Sequence, residues 1–137
     1  MQYDEFVNRL RERQEFTSRE EAVKATKATL SSLGECLYKT ERRHLTSQLP
    51  KEMKGFFYEY VDVEVTRRGA CFSLDDFYHR VAARADVGRA AAMERAMAVM
   101  AVMREAVPEG EWAHIIREMP DEYRELLAGE SFGAPAP

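Results

Sequence analysis

Only two cysteines, Cys36 and Cys71, occur among the 137 residues. Two are too few for the disulfide framework of a small secreted domain, and with no export segment both are expected as reduced thiols. The amino terminus, Met1-Gln2-Tyr3-Asp4-Glu5, has neither a basic segment nor an apolar core, so a signal peptide is not expected. No apolar run approaches the ~20 residues that a bilayer-spanning helix needs, which excludes a membrane span. Cytoplasmic location follows as the expectation. The seven glycines are scattered. They leave no phosphate-cradling loop, Gly-x-Ser-x-Gly elbow or dinucleotide fingerprint, so enzyme is the less favoured class and no cofactor is expected. A basic surplus is missing as well: 20 Lys and Arg stand against 24 Asp and Glu, for a net charge of −4. Nucleic-acid-binding domains usually carry the opposite balance.

What is present is apolar enough to fold. With 45% hydrophobic and 32% charged residues, the chain has the composition of one compact domain rather than of a disordered segment. Its charge is unevenly spread: residues 1–70 carry a net +1 and residues 71–137 a net −5, with all five lysines in the first part. The pairs Arg42-Arg43 and Arg67-Arg68 read as solvated surface.

A duplication organises the chain. Asp4-Glu5-Phe6-Val7-Asn8-Arg9-Leu10 returns as Asp75-Asp76-Phe77-Tyr78-His79-Arg80-Val81 at an offset of 71. Glu41-Arg42-Arg43-His44-Leu45 returns as Glu111-Trp112-Ala113-His114-Ile115, and Leu49-Pro50-Lys51-Glu52 as Met119-Pro120-Asp121-Glu122, both at an offset of 70. Ordered pairs at near-constant spacing indicate a supersecondary unit copied and stacked on itself. The division read from this is one helical domain over residues 1–128. It comprises repeat one (1–60), a connector (61–72) and repeat two (73–128), with a disordered tail at 129–137.

Each repeat reads as helical. Phe6, Val7 and Leu10 share a face of a helix over 4–14. Ser18 and Glu21 form a Ser-x-x-Glu capping box that opens a long helix over 19–38, matched by one over 88–107 with Asp86 as its N-cap. Met93, Met97, Met100 and Met103 lie along the latter at core spacing. Short helices fit 41–48 and 111–118, and Pro50 and Pro120 suit first-turn positions of helices at 51–59 and 121–128. Ser73 and Asp76 cap the helix that begins repeat two. Val61-Asp62-Val63-Glu64-Val65-Thr66 alternates like a strand, but a lone strand has no partner, so it reads as an extended connector. The fold class is all-α, a helical bundle of two pseudo-symmetric tandem repeats of about four helices each.

Several of these pieces occur together in one known group. Tyr3-Asp4-Glu5-Phe6 with Arg9, Ser18-Arg19-Glu20-Glu21-Ala22, Leu33-Gly34-Glu35, Gln48-Leu49-Pro50 and Lys54-Gly55-Phe56-Phe57-Tyr58 come first. Phe72-Ser73-Leu74-Asp75-Asp76-Phe77, Val107-Pro108-Glu109-Gly110-Glu111 and Met119-Pro120-Asp121-Glu122-Tyr123 follow. In this order, over about residues 2–128, the chain resembles the bacterial family catalogued as domain of unknown function 2267, with Met119 where a leucine is expected. The resemblance implies a helical bundle built from a tandem repeat and supplies no reaction, cofactor or catalytic residue.

Three functional readings follow. The first is a non-enzymatic cytoplasmic interaction or regulatory module. It would contact a protein partner, or a second copy of itself, through the aromatic run Phe56, Phe57, Tyr58 and Tyr60, with Trp112 as a further anchor. The second is a metal-binding bundle. Glu41-x-x-His44 and Glu111-x-x-His114 each put a carboxylate and an imidazole on one helix face, and di-iron bundles use two such pairs with two further glutamates. A third and weaker reading is nucleic-acid association through the basic first half, against which the acidic second half argues. Metal content separates the first two. Elemental mass spectrometry of untagged protein should give a metal-free, folded chain if the Glu-x-x-His pairs are structural. Stoichiometric metal lost on His44→Ala/His114→Ala would establish the metal reading instead.

Overall fold

Capping chemistry sets where the helices begin. In the computed structural model, which describes residues 1–13, 16–61 and 71–128, the Ser18 side chain accepts a hydrogen bond from the Glu21 amide at 3.1 Å. Ser73 accepts one from the Asp76 amide, also at 3.1 Å. Each thereby satisfies a first-turn donor that has no partner within its own helix. The other half of the capping box is replaced: the Glu21 carboxylate accepts from the Thr17 hydroxyl at 2.6 Å and meets Arg95 at 2.8 Å.

Among the described residues the chain is all-α. Helices α1 (Tyr3–Arg11), α2 (Arg19–Cys36), α3 (Lys39–Thr46) and α4 (Lys51–Tyr58) come first. Helices α5 (Leu74–Ala85), α6 (Arg89–Ala106) and α7 (Glu109–Glu118), a 3-10 turn (Asp121–Tyr123) and α8 (Arg124–Ala128) follow. Helices α3 and α7 begin two residues earlier than the sequence reading placed them, and three caps differ as well. Asp86 is not an N-cap but ends α5 in the left-handed region at φ 56°, and Gly88 caps α6. Pro50 and Pro120 stand at N-cap positions, one residue earlier than expected, in an extended conformation that proline's fixed φ favours. The last segment opens as a 3-10 turn before becoming α8. The alternating run from 62 and the tail from 129 lie outside the described residues.

Helices α2 and α6, each of 18 residues, form the centre. Helix α2 packs against α1, α4, α5 and α6, while α6 also takes α1, α5 and α8. Small residues allow this crowding: Ala22, Ala25, Ala28, Ser31 and Ser32 on α2 and Ala92, Ala96 and Ala98 on α6 are buried. The buried hydroxyls of Thr26 and Ser32 return to the carbonyls of Ala22 and Ala28, both at 2.8 Å, whereas the buried Thr29 hydroxyl has no hydrogen-bond partner. Met97, Met100 and Met103 are core side chains, with Met93 at the margin. No described helix is long and apolar enough to cross a membrane.

One glycine is fixed by packing. A Cβ on Gly34 would collide with the Phe57 backbone carbonyl, so α2 and α4 cross backbone to backbone there. Gly55, by contrast, faces open space on α4. Gly34→Ala is therefore expected to cost about 2–3 kcal/mol, the scale of overpacking a rigid neighbour. Gly55→Ala should stabilise by up to about 1 kcal/mol, through the helix propensity gained. Urea unfolding of the two variants checks this, and equal effects would refute the backbone contact.

Candidate functional site

Four carbonyls at the end of any helix lack partners within it. At the end of α2, Arg42 reaches back from α3 to supply two of them: its guanidinium donates to the Gly34 carbonyl at 2.9 Å and to that of Leu37 at 3.0 Å. Arg42 is buried, which corrects the reading of Arg42-Arg43 as solvated surface, and burial pulls its pKa down from the usual arginine value. Next to Gly34, Glu35 faces α5, where its carboxylate meets Arg84 at 2.7 Å and Arg80 at 3.0 Å. Those two arginines in turn stack on Tyr60 and Phe72, with ring centroids 3.8 and 4.1 Å away.

The following residue, Cys36, is bonded to Cys71. The expectation of two separate reduced thiols is thus overturned: their Cα atoms are 4.4 Å apart because the segment before α5 returns against the end of α2. The bridge joins positions 35 residues apart in sequence. On the chain-entropy account a loop of that length contributes roughly 4 kcal/mol. Tyr123 fixes the same place from the 3-10 turn. Its hydroxyl donates to the Phe72 carbonyl at 2.9 Å and lies 3.1 Å from the Cys71 sulfur and 3.5 Å from that of Cys36.

The two Glu-x-x-His pairs meet crosswise. Glu41 at the start of α3 is 2.9 Å from His114 Nε2 on α7, and Glu111 at the start of α7 is 3.7 Å from His44 Nδ1 on α3. Both carboxylates are largely buried, whereas the His44 side chain is 76% exposed. The close Glu41 contact is not aligned as a hydrogen bond, and Glu41 Oε2 and Glu111 Oε1 are buried without hydrogen-bond partners. Zinc sites take three or four protein ligands. Here the four residues give two separate two-donor contacts, and among the described residues no three His, Cys, Asp or Glu side chains converge on a metal position.

A cavity of about 330 Å³ opens beside Glu41. Its walls are Cys36, Leu37 and Tyr38 where α2 passes into α3, Cys71 bonded beside them, and Met119 and Pro120 after α7; Glu41 and Glu118 bring two carboxylates to it. Leu37 and Met119 are buried, while Tyr38 is 41% exposed. The site therefore combines an apolar floor, an exposed aromatic ring, two acids and a cystine.

The aromatic surface read from the sequence is divided by the fold. Phe57 and Trp112 are core side chains, and the Trp112 ring nitrogen donates to the Leu127 carbonyl at 2.9 Å. Their assignment as contact residues is corrected: α4 turns Phe57 toward the Gly34 crossing, and α7 turns Trp112 toward α8. Phe56 is half buried against Tyr3, with ring centroids 6.1 Å apart. Tyr58 and Tyr60 are exposed. Sequence reasoning missed Glu118, Tyr123, the cystine and the Glu35–Arg80–Arg84 contact. Two signals point toward them: Leu33-Gly34-Glu35 and Met119-Pro120-Asp121-Glu122-Tyr123 belong to the motifs that carry the family resemblance.

The profile of a family described as "Uncharacterized conserved protein (DUF2267)" matches residues 3–126. No curated protein matches the chain.

Buried tyrosines give this region a pH signature. Burial, with a smaller push from Glu125, raises the Tyr78 pKa to about 12. Burial raises that of Tyr123 further, with Glu122 adding to it. In the unfolded chain both ionise near pH ~10. The stability they confer is therefore complete below that pH and is lost as pH rises from there through 12. The urea midpoint should hold steady in the neutral range and fall on the alkaline side. Tyr123→Phe should make that fall shallower, and an unchanged slope would show that Tyr123 ionises freely in the fold.

Proposed function

The chain belongs to the DUF2267 family of uncharacterized conserved proteins, and from that footing we propose that it is a non-enzymatic cytoplasmic interaction module. Its partner is a protein that presents a basic side chain to the cavity between Glu41 and Glu118. The observation that carries this reading is the cavity itself, which sets the acidic residues Glu41 and Glu118 beside an apolar floor. A guanidinium or ammonium group pairs with a carboxylate through a charge-assisted hydrogen bond. The methylene stem of Arg or Lys suits Leu37, Met119 and Pro120, and Tyr38 offers its ring to the cation. The acidic second part of the chain favours the approach of a basic partner electrostatically.

Titration of labelled protein with a short peptide presenting one arginine, monitored by amide NMR shifts, tests this. Shifts should be confined to residues near 36–41 and 118–120. Replacing the arginine by citrulline should abolish them, and Glu41→Gln or Glu118→Gln should each weaken binding roughly tenfold, the worth of one charge-assisted hydrogen bond. Equal response to the citrulline peptide, or shifts centred elsewhere, would refute the proposal.

A further inference from the structure

The cavity has a second chemistry that side-chain capture does not use, because both of the chain's cysteines lie in its wall. We infer that Cys36–Cys71 is a thiol–disulfide exchange site open to small uncharged or cationic thiols. Three observations lead there. The bridge packs against the core on one side and borders the cavity on the other, so an attacking sulfur has an approach. Its two ends differ: Cys36 is 9% exposed at the end of α2, whereas Cys71 is partly exposed just before α5. Tyr123 holds the adjoining backbone through the Phe72 carbonyl and keeps its hydroxyl beside both sulfurs, so opening the bridge need not release the segment. Cystines persist in oxidising compartments, and in reducing ones they are mostly transient and regulatory.

The reaction proceeds in two displacements. A small thiolate attacks Cys71 Sγ, the Cys71–Cys36 bond breaks, and its electron pair leaves on Cys36 Sγ, which takes up a proton. The Tyr123 hydroxyl oxygen, whose proton is held by the Phe72 carbonyl, lies 3.5 Å from that sulfur and can accept from the new thiol. A second thiolate attacks the sulfur of the first, so their own disulfide departs and Cys71 is protonated in turn. Two thiols are oxidised to one disulfide while one cystine is reduced to two thiols, with no other oxidant or reductant needed. Exchange rate depends on the attacking thiolate and on access. Here access is governed by charge: Glu41 and Glu118 repel an anionic thiol and attract a cationic one, a preference that salt screens.

The test uses the full chain and contains no partner peptide, so it stands or falls separately from the function proposed above. Oxidised protein is treated with cysteamine, 2-mercaptoethanol or 2-mercaptoethanesulfonate, quenched by alkylation and weighed intact, with the same reactions run in denaturant as reference. Relative to the denatured chain, cysteamine should react fastest and the sulfonate slowest, with a spread of about tenfold that shrinks at high salt. Glu41→Gln/Glu118→Gln should remove that order. Circular dichroism should remain helical throughout. With glutathione disulfide as probe, Cys36→Ser should trap one glutathione on Cys71 faster than Cys71→Ser traps one on Cys36. Reduction that occurs only as the chain unfolds would overturn the inference. So would two alkylatable thiols surviving oxidation, or rates indifferent to charge.

Discussion

The end of α2 has to do several things within one turn. Its last carbonyls need donors, and α4, α5 and the segment before α5 all press on it. Gly34 removes its side chain so that the Phe57 carbonyl can lie against it, Glu35 gathers two arginines from α5, and Cys36 bonds Cys71. Arg42 then closes the turn from α3 by donating to Gly34 and Leu37. A buried arginine without a carboxylate is ordinarily costly. Here the C-terminal end of the α2 dipole and two carbonyl acceptors offset that cost, the arrangement expected for a cation at a helix terminus. Lysine could not replace it, because two carbonyls in different directions need a forked donor.

From this turn the position of the site follows. Because Arg42 draws the start of α3 back against the end of α2, Glu41 faces inward and reaches α7. The same geometry, read from α7, points Glu111 toward α3. An acid in the first turn of a helix is already favoured by the dipole. That explains why glutamates stand at 41 and 111 without appeal to metal chemistry. It does not explain why one oxygen of each is buried without a hydrogen-bond partner. At Glu41 that oxygen lies 2.9 Å from His114 Nε2, and the residue also borders the cavity, where Glu118 adds a second acid.

Most of the architecture was legible in the sequence because it rests on local rules. Ser18 and Ser73 cap where their spacing to Glu21 and Asp76 says they should, and the apolar periodicities of α1 and α6 place Phe6, Leu10 and Met97 inside. Misses cluster where a long-range contact decides. Nothing local distinguishes Arg42, which is buried, from Arg43, which is exposed. Phe57 and Tyr58 are adjacent in an aromatic run, yet one is core and the other surface, because only the α2–α4 crossing fixes the phase of α4. Cys36 and Cys71 lack any spacing that announces a pair; the return of the chain after residue 70 brings them together. The Glu-x-x-His pairs were visible as a pattern, but whether they make one site or two contacts depends on how α3 and α7 face each other.

The cystine and the two acids border one cavity, and this has a thermodynamic consequence. The bridge fixes the distance between the end of α2 and the start of α5, and Tyr123 ties the 3-10 turn to the same backbone. Leu37 and Tyr38 on one side and Met119 and Pro120 on the other are therefore held across a gap whose width the cystine helps to set. A ligand that binds the bridged cavity more tightly than the opened one must, by linkage, favour the bridge by the same factor. If its affinity is equal for both, the two events are independent however tight the binding. The deciding quantity is thus the difference in cavity affinity between the dithiol and the cystine, and it has a physical source in the spacing of Glu41 and Glu118 across the gap. Charge-assisted hydrogen bonds are sensitive to fractions of an ångström, so even a small relaxation of this wall alters that difference.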